Sequence, residues 1–254
     1  MQQRRRKSAV RSGTGAAQAT TEGSDRVAGW GTLVIGIVVA GFLYWKNHYT
    51  RMGFEEYYLL NNSLLLWIPL CFILLCLRRD ASEFGMTPGD LKKGARLALI
   101  GFLLFIPVLL FIAPTPAPQN YYIGNSLSQS GAIFGVRPGP GGGFSGGTID
   151  WGRLVFHESV FGFYMFCWEW FFRGFLLFGV RKALPDWFAV VFQALLFFAL
   201  HVGKPAPELY SSLAGGLLLG VIALRLRSFL PCFLIHWAIS MAFDCAVLFF
   251  HFRR

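Results

Sequence analysis

The chain has 254 residues, of which 55% are hydrophobic, 17% aromatic and only 14% charged, and its mean hydropathy is +0.51. Soluble domains carry about a quarter charged residues, so this composition argues against a soluble globular enzyme and for a membrane protein that crosses the bilayer several times. The net charge of +10 does not point to nucleic acid, because the basic residues flank apolar runs instead of clustering on one recognition element.

Residues 1–26 are polar and open with Arg4, Arg5, Arg6 and Lys7. They read as a disordered cytoplasmic tail. The apolar run after them is too long for the core of a cleavable signal peptide. A spanning helix needs about 20 mainly apolar residues, and seven such spans are expected, at roughly 27–45, 58–77, 95–113, 153–180, 187–202, 210–225 and 229–250. The fifth and sixth are short. Pro69 and Pro107 fall inside the second and third, where kinks are expected. Cys71, Cys76, Cys167, Cys232 and Cys245 all lie in apolar runs without a CxxC pair and read as packing residues.

Between the second and third spans, DASEFGMTPGDLKKG suggests a short interfacial helix near 86–94, with Thr87 as its N-cap and Pro88 in its first turn. Residues 114–150 form an outer loop whose end, FGVRPGPGGGFSGGTID, is too rich in Gly and Pro for a packed core. It serves as a tether or a lid, the tether being favoured. The expected fold is all-α: a polytopic transmembrane bundle of about seven spans plus the interfacial helix. Its parts are the tail 1–26, the helices of 27–113, the loop 114–150 and the helices of 151–254.

With the N-terminus inside, the inner loops hold Arg78, Arg79, Lys92, Lys93, Arg96, Arg181, Lys182, Arg225 and Arg227. The outer side holds Lys46, Arg51, Arg137, Arg153 and Lys204, plus the C-terminal Arg253 and Arg254. This asymmetry favours a cytoplasmic N-terminus and fits a bacterial inner membrane.

Ionisable side chains in a bilayer cost about 2.5–3.5 kcal/mol each on insertion scales and usually face a bundle interior. Glu169 and Arg173 lie four residues apart in FCWEWFFRGFLLF, on one helical face. The next turn, RKALPDW, makes the fourth and fifth spans an antiparallel hairpin. Glu169 and His201 are equally far from its centre, so they are expected at similar depth. On the last span His236, Ser240 and Asp244 recur every four residues and form one polar stripe. Converging inside a bundle, these groups suit hydrolysis, with a carboxylate or imidazole as general base on water. Glu169, His201 and His236 could equally hold a zinc ion with an open position.

Other groups are expected to be peripheral. Glu158 and His157 are placed at the outer boundary, and Glu208 as a cap of the next helix. Trp168, Trp170, Phe171 and Phe172 read as packing or lipid-facing groups. Gly215, Gly216 and Gly220 would let helices approach closely.

Trp168-Glu169-Trp-Phe-Phe-Arg173, Phe197-Phe-Ala-Leu-His201 and His236-Trp-Ala-Ile-Ser240 resemble, in order and spacing, the motifs EExxxR, FxxxH and HxxxN of the CPBP family. That family includes the type II CAAX prenyl endopeptidases and the bacteriocin-processing (Abi) proteins. The resemblance covers about residues 80–250 and implies peptide-bond hydrolysis within the membrane. It implies that a glutamate activates water while the two histidines and the asparagine stabilise the oxyanion. This sequence departs from the pattern at Trp168, in the first glutamate position, and at Ser240, in the asparagine position. Glu169 or Asp244 would then supply the carboxylate.

The expected partners are the lipid bilayer and a membrane-anchored protein or peptide substrate, with no nucleic acid. The catalytic candidates are Glu169, Arg173, His201, His236, Ser240 and Asp244. The alternative is a catalytically silent CPBP relative acting as a membrane scaffold.

Overall fold

The computed structural model describes residues 2–124, 136–137 and 148–253, with side chains over 21–123, 136 and 148–253. Among these residues the chain forms eight helices: α1 (Gln2–Tyr49), α2 (Phe54–Cys76), α3 (Leu91–Ile112), the single turn α4 (Pro116–Gln119), α5 (151–180), α6 (Asp186–Ala199), α7 (Ala206–Leu226) and α8 (Leu230–His251). One two-residue ladder pairs Val136–Arg137 with Thr148–Ile149. The fold is an all-α membrane bundle. Most of the Gly- and Pro-rich end of the outer loop lies outside the described residues. Of the expected tail, side chains are described from Thr21 onward.

Five helices are long and apolar enough to cross a membrane: α1 from Thr21, α2, α3, α7 and α8. The other two expected spans differ from these for physical reasons. Helix α5 is long enough, but it carries Arg153, Glu158, Glu169 and Arg173 and is packed as the centre of the bundle. Helix α6 has 14 residues and rises about 21 Å, short of a hydrocarbon layer of about 30 Å.

Pro69 sits between two π-helical stretches of α2, Ser63–Trp67 and Phe72–Cys76. Proline offers no N–H to the ladder, and the wider i→i+5 pairing around it accommodates the loss. Pro107, by contrast, lies inside an unbroken α-helix.

The separate interfacial helix expected near 86–94 does not form. The segment holds one 3-10 turn, Ala81–Phe84, and then extended chain up to α3. The Asp90 carboxylate, not Thr87, caps α3 by accepting from the Lys93 N–H at 3.0 Å, while the Thr87 hydroxyl accepts from Gly89 N–H in a local turn. A carboxylate at the cap suits the positive end of the helix better than a hydroxyl.

The core gathers around WFFRGFL, the π-helical stretch Trp170–Leu176 of α5, whose seven residues are all buried. A helix apolar on every side belongs at the centre of a bundle. Around it pack α1 and α2, the hairpin partner α6, and α8. Helix α3 runs along α8, and α6 along α7. The last contact is close because Gly216 and Gly220 of α7 face Ala194 and Gln193 of α6, while Gly215 faces open space.

Candidate active site

Glu169 closes the α-helical part of α5, and Arg173 stands one turn on, within the π-helical stretch. Both are 0% exposed. The Arg173 Nη1 lies 3.1 Å from Glu169 Oε1, and its guanidinium carbon is 4.0 Å from the centre of the Phe197 ring. Charge neutralisation below and a ring face above let a guanidinium sit here without water. The same Glu169 oxygen is 2.7 Å from His236 Nδ1 on α8. A carboxylate only accepts, so Nδ1 donates, and Nε2 is left with its lone pair.

His201 follows α6 in a tight turn and is buried. Its Nδ1 donates to the Phe197 carbonyl at 2.8 Å, which again leaves Nε2 as the basic nitrogen. Phe197 lies between the two imidazoles, 4.5 Å from the His201 ring and 5.8 Å from that of His236. The turn of the hairpin read from the sequence is clamped by Arg181 on Asp186 at 2.9 Å, and its two arms bring Arg173 and His201 against the same phenyl ring. Trp168 points at His201, with ring centres 6.0 Å apart, and packs on Tyr164, Phe172 and Phe197. Trp168, Trp170, Phe171 and Phe172 are all buried, so none faces lipid.

The remaining candidates separate from this group. Ser240 is half-buried on the α8 face, with no hydrogen bond among the described residues. Asp244 is buried, but two turns from His236, about 12 Å along the axis. It meets Glu158 and His157 of α5, whose ligand atoms lie within 4.8 Å of its own. Helices α5 and α8 are antiparallel, so His236 faces Glu169 while Asp244 faces Glu158. Glu158 and His157 thus stand apart from the Glu169–His236 contact, and with Asp244 they form a second polar centre. Counting α8 every fourth residue against α5 in the antiparallel sense would have found it.

The expectation for Glu208 is corrected. It makes no side-chain cap on α7. Its carboxylate accepts from the Tyr122 hydroxyl at 2.6 Å and from Lys204 Nζ at 2.5 Å. Burial alone would lower the Lys204 pKa, but Glu208 beside it raises it above the usual lysine value. Burial pushes the Tyr122 hydroxyl well above its ordinary range, so it stays a neutral donor. This ion pair anchors the turn that carries His201. Gln193 had no signal in the sequence either: it ties α6 to α7 by donating to the carbonyls of Val190 at 2.9 Å and Gly216 at 2.8 Å.

Glu169, His201 and His236 do not gather as a metal-ligand set. Among the described residues, the group whose donors do come together is His157, Glu158 and Asp244.

Residues 151–242 match the family model described as type II CAAX prenyl endopeptidase, Rce1-like. Over that stretch the chain is similar to this family. No curated protein and no solved structure matches the chain significantly. The matched stretch begins with α5 and ends within α8, so it includes Glu169, Arg173, His201, His236 and Ser240, while Asp244 falls just past its end. It starts well after residue 80, where the resemblance read from the sequence began. The CPBP resemblance is borne out over these helices. Together with the apolar spans, the match supports an integral membrane endopeptidase of the CPBP type in general terms.

Proposed function

We propose that the chain hydrolyses a peptide bond of a membrane-anchored protein or peptide, with His236 as the base that activates water. The observation that carries this reading is the 2.7 Å contact from Glu169 to His236 Nδ1. Glu169 is sealed from solvent, so it is a poor direct base for water. It holds the imidazole in the tautomer whose Nε2 is basic and steadies the imidazolium that forms. The His236 side chain is 20% exposed, so unlike Glu169 it is not sealed. Arg173 pairs with the Glu169 carboxylate from the next turn. His201, two ring contacts away across Phe197, is placed to take part at the reacting carbonyl, with Ser240 one turn along α8 from the base. Asp244 is too far along α8 to share the step.

The reaction balances without a cofactor. Nε2 takes a proton from water as the hydroxide oxygen bonds to the carbonyl carbon, and returns it to the leaving nitrogen as the C–N bond breaks. The test compares protein termini in membranes containing the wild-type chain, His236→Ala or His201→Ala. New termini that need both histidines support the reading. An unchanged terminus profile, with the chain's cellular phenotype intact in both variants, overturns it.

One observation favours the second reading, a silent scaffold: Trp168 fills the first glutamate position of the motif with an indole set against His201. That reading predicts function in both histidine variants and its loss only where the bundle unfolds.

A further inference from the structure

The second polar centre is not used by the reaction proposed above. Asp244 is 6% exposed. It faces Glu158, both of whose carboxylate oxygens are buried without a donor. Two carboxylates so placed inside a bilayer cannot both remain ionised unless a proton or a cation lies between them. The third group decides which. His157 is buried against the aromatic rings of Phe54, Tyr58 and Phe161. It brings a nitrogen donor within 4.8 Å of both carboxylates.

We infer that His157, Glu158 and Asp244 bind one divalent first-row metal ion, of which zinc is the best match, at a site separate from Glu169 and His236. One imidazole and two carboxylates suit such an ion. Calcium and magnesium prefer all-oxygen shells, which the imidazole breaks. The ion would join α5 to α8 some two turns nearer the outer face than the Glu169–His236 contact. Its two carboxylates would be neutralised there without a shared proton.

The experiment uses the full chain in detergent, stripped with a chelator and then given zinc. Bound zinc is measured by elemental analysis, and the unfolding midpoint with and without the metal. The expected result is about one zinc per wild-type chain and an unfolding midpoint that rises on adding it. Both effects should be lost in Asp244→Asn and in Glu158→Gln and kept in His236→Gln. A wild-type chain that holds no zinc and shows no shift overturns the inference, and needs no variant to fold. Zinc lost in His236→Gln but kept in Asp244→Asn overturns it too, by placing the metal at the other centre. Neither outcome bears on peptide cleavage, so the two proposals fail separately.

Discussion

Arg173 answers a need that Glu169 creates. A lone carboxylate in this core would cost several kcal/mol, and two leucines in place of the pair would pack more cheaply. What the ion pair keeps, and leucines could not, is a carboxylate oxygen for His236. Breaking such a pair strands the other charge. Arg173→Leu should therefore destabilise the bundle by about 3–5 kcal/mol, read as a lowered unfolding midpoint in detergent. Glu169→Gln should do the same from the other side, because it leaves the guanidinium over the Phe197 ring without its counter-ion. His236→Ala differs. The side chain is partly open, so the fold should survive while peptide cleavage falls by about 10²–10⁴-fold, the usual contribution of a general base. If cleavage in that variant stays within a few-fold of wild type, His236 is not the base.

At the level of helices, legibility followed the kind of signal. The α5–α6 hairpin was readable because a Pro-containing turn between two apolar runs sets equal depth by counting. The α8 stripe was readable because a four-residue period sets one face. The second carboxylate centre was missed because its partners are 86 or more residues apart, so that only the antiparallel packing of α5 on α8 joins them. The interfacial helix was over-read: KKG belongs to the first turn of α3, and the Asp before it is the stronger cap. The glycines divide according to neighbours the sequence does not reveal. A Cβ on Gly220 would stand 2.7 Å from Gln193 Nε2, which two carbonyls hold in place, whereas Gly215 has nothing within 4 Å. Gly220→Ala should thus cost about 1–3 kcal/mol by overpacking. Gly215→Ala should be neutral or stabilise by up to about 1 kcal/mol through helix propensity. Thermal unfolding of the two variants side by side checks this, and equal midpoints would refute the packing account.

For the whole molecule, the charged loops assemble into one face. Asp25 meets Arg79 at 2.5 Å, Lys182 meets Glu83 at 2.9 Å, and the Ser228 hydroxyl donates to the Thr87 carbonyl. The stretch of α1 around Asp25, the segment after α2, and the turns between α5 and α6 and between α7 and α8 therefore lie together. The opposite end is joined by His48 Nε2 on the Val202 carbonyl at 2.6 Å and by Lys46 on Glu56 at 3.3 Å. Residues 25 and 251 lie at opposite ends, since α8 leaves the basic face at Leu230 and does not return. The positive-inside rule acts on such a face as a unit, because Lys and Arg near the membrane are held on the cytoplasmic side. Protease added to sealed right-side-out vesicles should accordingly remove a tag fused after residue 254 and spare one fused before residue 1. The reverse pattern would invert the molecule. It would also turn the carboxylates of Glu158 and Asp244, which sit toward the end away from the basic face, to the cytoplasmic side.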